Sequence, residues 1–121
     1  MKYTLPIEPK ATPRPRVANR RAYYPKSYTD WKKRAKAILP ILYPPKKTIH
    51  ICFVFKRPQR LKTGPRVRHD KRPDIDNLVK SVFDLFDFDD GLISHFSAEK
   101  MYSSSEETAK IEIYWDEYPE K

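Results

Sequence analysis

The sequence predicts an α+β domain in which a small mixed or antiparallel sheet of about four strands packs against two helices. Three observations carry this expectation. The segment "KKTIHICFVFK", residues 46–56, alternates its side chains in the manner of a central strand. Two other segments, around Trp31 and around Leu78, repeat their apolar residues at helical spacing instead. Two further alternating runs, "LISHFSAEKMY" and "TAKIEIYW", close the pattern. With 121 residues, the chain is expected to form one domain over residues 1–121.

Each element has its own justification. "KYTLPIEP" alternates as a short strand, and Pro6 and Pro9, which cannot donate to a ladder, place it at a sheet edge. "KATPRPRVANRRAYYPK" then spaces Lys10, Arg14, Arg16, Arg20, Arg21 and Lys26 with prolines and adds Tyr23 and Tyr24. Such an extended basic loop is either a solvated loop or an arm that contacts phosphates. Ser27 with Asp30 reads as a capping-box variant, and Trp31, Ala35, Ile38 and Leu42 recur at helical spacing. A helix is predicted from about Tyr28 to Leu39, stopped by Pro40 and by Pro44 with Pro45.

The central strand sets Ile49, Ile51, Phe53 and Phe55 on one face and Thr48, His50, Cys52 and Val54 on the other. His50 reads as a packed or partly exposed strand residue, since no second His lies near it in sequence. Cys52, the single cysteine, excludes an internal disulfide and a Cys-based zinc site and reads as a buried thiol. "KRPQRLKTGPRVRHDKR", residues 56–72, carries eight Lys or Arg and no apolar periodicity, so it is expected to be mobile until a polyanion orders it. From Pro73 a second helix follows, with Ile75, Leu78, Val79, Val82, Phe83 and Phe86 as its buried stripe and Asp76, Lys80 and Asp84 opposite. "SSSEE" turns the chain into the last strand, where Ile111, Ile113 and Trp115 face the core, and the last two strands are expected to pair as an antiparallel hairpin.

The net charge of +9 favours a polyanionic partner, because each neutralised phosphate releases condensed counterions. No apolar run approaches the roughly 18 residues of a spanning helix. "MKYTLPIEPK" also lacks the apolar centre of a signal peptide, so a soluble protein without a membrane partner is expected. Hydrophobic residues at 39% give a monomer a thin core, which a second copy of the chain would complete. Against this basic background, six aspartates fall within residues 71–91. Asp74 and Asp76, taken alone, are ordinary helix caps. Asn77 and Lys80 follow at once, however, and Asp87, Asp89 and Asp90 form a second cluster between Arg-rich loops. Carboxylates so placed suit Mg2+, or Mn2+ in its stead, held against a phosphodiester. The alternative is a non-catalytic nucleic-acid-binding protein in which Asp74 and Asp76 are plain caps.

"RPDIDNLVKSVFD", followed by "DDG" and a strand ending in "EKMYS", all downstream of "PRPRV" and "YYPK", resembles the RusA family of Holliday junction resolvases. The likeness runs from about Glu8 to Trp115, and the "RPDIDNLVK" core is its specific part. It implies a RusA-like fold and a Mg2+-dependent endodeoxyribonuclease that acts as a homodimer on four-way junctions in DNA recombination and repair, cutting by paired nicks. It also implies a phage or prophage protein working in the bacterial cytoplasm, with no small-molecule cofactor. On the resemblance, Asp74, Asp76 and Asp90 are catalytic metal ligands with Asp89 beside them, and Lys80 is the catalytic-site lysine. Arg14, Arg16, Arg20, Arg21, Arg66, Arg68, Lys71, Arg72 and Asn77 are then expected to contact DNA. Two departures stand out. "LFDFDD" makes the link from the helix to the aspartate pair shorter than in relatives, so Asp89 or Asp87 could take the position assigned to Asp90. Relatives commonly carry Gln where this chain has Leu92.

Overall fold

The computed structural model describes residues 2–39 and 45–117. Strand β4 (Pro45–Phe55) is the spine of a five-stranded sheet in the order β1-β7-β4-β6-β5. Its flanks are β1 (Lys2–Leu5), β5 (Val67–Arg68), β6 (Phe96–Tyr102) and β7 (Lys110–Glu117). Alternation along β4 works as the sequence implies. Ile49, Ile51, Phe53 and Phe55 join Ile111, Ile113 and Trp115 of β7 and Leu5 of β1 in one apolar layer. Burying each such side chain contributes about 1.5–3 kcal/mol, which is why this layer, and not local propensity, fixes the sheet. The second face of β4 holds Cys52 and Val54, both buried, and His50, whose Nδ1 lies 2.6 Å from the Ser97 hydroxyl. Cys52 is the buried free thiol expected, and burial pushes its pKa up to about 12. β1 takes an edge and ends before Pro6.

One pairing differs from expectation. β6 and β7 are not a hairpin; β4 lies between them, antiparallel to β7 and parallel to β6. Periodicity identifies which face of a strand is buried, but β4, the most apolar strand, gains most by having a neighbour on each side. Parallel neighbours need a long crossover. Residues 56–95 supply it and carry helix α2 (Ile75–Phe83) across the apolar face.

Helix α1 (Lys26–Ile38) packs Tyr28, Trp31 and Ala35 into the same layer. It starts two residues earlier than expected, and Pro25 occupies the N-cap position without a side-chain hydrogen bond. Ser27 is therefore inside the first turn, and Asp30 binds the Lys26 ammonium at 2.9 Å instead of closing a capping box. Ile38, at the last turn, is 45% exposed, and Tyr28, at the first, is buried. Pro40, Leu42 and Pro44 lie outside the described residues. In α2, Leu78, Val79 and Val82 form the buried stripe, continued by Leu85 and Phe86, while Ile75 at the first turn is 38% exposed.

The loop at residues 10–26 also contains more structure than expected. β2 (Arg16–Ala18) and β3 (Arg21–Tyr23) pair as a hairpin whose two-residue turn, Asn19 and Arg20, has φ of 50° and 63°. Both values are left-handed, the backbone twist that two-residue hairpins require. Asn tolerates that region, and here Arg20 adopts it without a glycine.

Candidate active site

The N-terminus of α2 lies beside the C-terminal end of β6, as the parallel crossover dictates, and a cavity of about 710 Å³ opens there. Asp74, Ile75 and Asp76 line it from the helix, Arg68, His69 and Asp70 from the preceding loop, and Ala98 to Met101 from β6. Asp70, Asp74 and Asp76 thus line one hollow with Arg68 and Lys100, and Glu99 borders it while its carboxylate lies 3.4 Å from His50 Nε2 on the other face of the sheet.

Asp74 occupies the N-cap of α2 but makes no side-chain cap hydrogen bond among the described residues. Asp76 accepts from the adjacent Asn77 N–H at 2.9 Å and does no capping across the turn. The carboxylates are therefore not consumed by the helix end, whose partial positive charge nevertheless favours their ionised forms. Lys80, exposed, stands one turn after Asp76 on the same helix face. A pair of oxygen donors beside solvent suits a hard divalent cation, which keeps several waters and completes its shell with substrate phosphate.

The second aspartate cluster is not brought to this hollow. Asp90 opens a short 3-10 turn (Asp90–Leu92), and Asp89 caps that turn by accepting from the Gly91 N–H at 2.9 Å. Asp87, Asp89 and Asp90 are all exposed and none lines the cavity. Among the described residues no group of three or more His, Cys, Asp or Glu converges tightly enough to hold a metal ion. Of the expected aspartates, this cavity is lined by the α2 pair alone, with Asp70 as their neighbour.

Loop 56–72, expected to await a polyanion, is tied down by its own arginines. Arg57 donates to the carbonyls of Lys62 (2.9 Å), Pro65 (2.7 Å) and Ser103 (3.1 Å). Arg66 grips Glu107 with two hydrogen bonds of 2.8 Å and Glu112 with one of 2.7 Å. Glu112 is 3% exposed, and the Arg66 guanidinium holds its carboxyl below the ordinary Glu range. Arg66 is therefore committed inside the fold, a correction to its expected place at the DNA surface. Arg68, two residues on, is exposed at the cavity rim. The two differ in their partners: Arg66 reaches Glu107 and Glu112, while Arg68 pairs with Met101 at the outer edge of the sheet.

The remaining basic residues are open. Lys71 and Arg72 are exposed just before α2, and Arg14, Arg20 and Arg21 are exposed along the hairpin arm to which Arg16 also belongs. The arm is rooted at the site, since the Thr12 N–H donates to the Asn77 carbonyl at 3.1 Å and the Thr12 hydroxyl lies 3.1 Å from that of Tyr28.

Asp70, His69, Glu99 and Lys100 line the cavity without having been singled out in the sequence. His69 stacks on Tyr102 with ring centroids 4.2 Å apart and meets the edge of Phe55 at 4.6 Å. Burial, then the nearby Lys100 ammonium, pushes its pKa down, and its Nδ1 accepts from the Lys71 N–H at 3.2 Å. Glu99 and Lys100 reach the hollow only because β6 lies parallel to β4, a pairing that a terminal hairpin would preclude.

The chain matches the model of the endodeoxyribonuclease RusA family over residues 6–114. It belongs to the RusA endodeoxyribonuclease family. Among curated proteins nothing matches it significantly. Family membership fits the expected resemblance and makes the chain a DNA endonuclease by class. The matched span includes the hairpin arm, both helices, the cavity and all of β7 but its last residues; β1 precedes it. Among the described residues no helix is long and apolar enough to cross a membrane.

Proposed function

We propose that this RusA-family chain is a Mg2+-dependent, structure-selective endonuclease that resolves four-way DNA junctions by paired nicking as a homodimer. The observation that carries the reading is the Asp74 and Asp76 pair, free of capping duty and facing a cavity rimmed by Arg68 and Lys100. A protein that only bound nucleic acid would have no use for carboxylates there, because they repel phosphate.

Asp74 and Asp76 would hold the metal. Bound there, Mg2+ supplies Lewis-acid stabilisation of charge on the phosphoryl oxygens. The chain's own residues do the rest. Arg68, Lys71 and Arg72 neutralise backbone phosphates on either side of the cut, and the hairpin arm extends that basic surface. Lys80 presents an ammonium one turn from Asp76, where it can meet the scissile phosphate and the charge that develops on it. The aromatic and aliphatic layer beneath α2 keeps the helix rigid, so the carboxylates are preorganised and do not have to be recruited. Asp90 takes a place in this reading on the family resemblance alone, since its turn lies outside the cavity. Mn2+ would serve in place of Mg2+ by the same oxygen ligation. A two-fold junction offers two equivalent phosphodiesters, which a symmetric dimer would meet with two equivalent cavities.

The test is a gel. A synthetic four-way junction and a linear duplex of the same sequence are incubated with the protein, with Mg2+ or with EDTA. Paired nicks in the junction, in Mg2+ only, are expected. Equal cutting of the linear duplex removes structure selectivity, and no cutting of either removes the nuclease reading.

A further inference from the structure

We infer that Lys100 is a positioning residue of the catalytic centre, its ammonium setting the main chain from which Asp74 and Asp76 reach the metal. The inference rests on the nuclease reading above and adds to it a residue outside the aspartate–lysine set of α2.

Lys100 sits on β6 opposite Phe53 of β4, so its side chain leaves the sheet on the face that carries the helices. Its ammonium donates to the Pro73 carbonyl at 2.8 Å and also to the Lys71 carbonyl. These two oxygens straddle Arg72, in the last stretch before α2. The Pro73 carbonyl belongs to the peptide plane that carries the Asp74 nitrogen, so holding the oxygen orients the Asp74 main chain directly. The grip is reinforced from below. The Lys100 carbonyl accepts from the His69 N–H at 3.1 Å, and the His69 ring, clamped between Tyr102 and Phe55, accepts from the Lys71 N–H. Residues 69–73 are thereby fastened to β6 at each end, and α2 starts from a fixed point.

A neutral side chain of similar length could fill the same space. If apolar, it could not bridge two carbonyls, and no neutral side chain sets a positive charge beside the aspartates that line the cavity. Because both hydrogen bonds go to main-chain oxygens, Lys100 acts through the placement of Asp74 and not by contact with the reacting phosphate. Partners of this kind typically govern metal affinity or activity by about 10–100-fold.

The test compares wild type with Lys100→Met, Lys100→Gln and Lys100→Arg in two readouts. In the first, metal-stripped protein without DNA is melted across a Mg2+ series. Wild type gains stability as RT ln(1 + [Mg]/Kd), and Lys100→Met is expected to need at least about tenfold more Mg2+ for the same rise. In the second, single-turnover cleavage of a four-way junction is expected to fall about a hundredfold for Lys100→Met at the wild-type Mg2+ optimum and to recover in part as Mg2+ is raised. Junction binding in EDTA should stay within about threefold, a separation that loss of fold would not produce. Lys100→Arg, which keeps donors for both carbonyls, is expected to restore most of the Mg2+ response. Should Lys100→Met not fold, Lys100→Gln, whose amide can still donate to a carbonyl but carries no charge, is expected to show a smaller shift in the same direction, and a wild-type Mg2+ dependence there overturns the inference. A Lys100→Met with wild-type Mg2+ dependence in both readouts overturns the inference alone. A wild type that neither gains stability from Mg2+ nor cuts overturns the nuclease reading, and the inference with it.

Discussion

Arg66 separates two accounts of the basic loop, because charge counting places it on DNA and the structure places it inside the fold. Consider Arg66→Met, which keeps most of the stem and removes the guanidinium. Three charge-assisted hydrogen bonds are lost, two to Glu107 and one to Glu112, whose side chains are 15% and 4% exposed. Removing one partner of a buried pair costs about 3–5 kcal/mol, because the remaining carboxylate stays desolvated without its cation. Arg66 is itself 30% exposed, and Lys2 and Lys110 remain at 3.2 and 3.1 Å from Glu112 and Glu107. Solvent screening and these neighbours bring the expected loss to about 2–4 kcal/mol. At about 4 °C per kcal/mol for a chain of this size, the melting temperature should fall by roughly 8–16 °C. Thermal melts give the first number and binding isotherms across a salt series, run well below the lowered melting point, give the second. The slope of log K against log salt should be unchanged for Arg66→Met and shallower by about 0.9 for Arg68→Ala, which removes one phosphate contact. The reasoning is refuted if Arg66→Met melts like wild type and loses the salt slope instead.

Further outcomes follow from the same geometry. Lys80→Ala is expected to slow cleavage at least about a hundredfold, roughly 2.7 kcal/mol of barrier, with a small shift in melting temperature. A single-turnover rate within about threefold of wild type would leave Lys80 as a helix-surface residue with no part in the chemistry. Asp90→Asn is expected to abolish cleavage as the family resemblance implies, and a near wild-type rate would confine the metal to Asp74 and Asp76. Acid should weaken the fold in two steps. His69 is held neutral by burial and Lys100, so its contribution is present above the ordinary His value of 6.5 and is lost as pH falls below it. Glu107 and Glu112 have lowered pKa values through Arg66, so their contribution is present above the ordinary Glu value of 4.5 and is lost as pH falls further. Melts from pH 8 to pH 3 check both steps, and His69→Gln should remove the first.

What was legible in the sequence was what periodicity and charge encode locally. The alternation of β4 showed which residues face the helices, and the stripe Leu78, Val79, Val82 showed which side of α2 is buried. "DID" with Lys80 one turn later marked the centre of the candidate site, and the structure opens its cavity there. Two of the misses share a cause, that neighbours across a sheet are not neighbours in sequence. Nothing in "LISHFSAEKMY" distinguishes a strand paired with β7 from one paired with β4, yet only the latter brings Lys100 to the start of α2. Loop 56–72 looked free because eight like charges repel, whereas Arg57 is satisfied by carbonyls and Arg66 by carboxylates far along the chain. The hairpin β2–β3 was hidden because its turn uses Asn19 and Arg20 where glycine would have announced it.

The most direct measurement sets binding beside cutting for Asp76→Asn on one labelled four-way junction, with Kd taken in EDTA and the cleavage rate in Mg2+. If the aspartates act only through the metal, Kd stays the same or tightens, because a negative charge has left a phosphate-binding surface. The rate should fall by at least about a thousandfold, some 4 kcal/mol of barrier. Binding lost in parallel with cutting, or cutting retained at a wild-type rate, would contradict a metal-holding role for the α2 carboxylates.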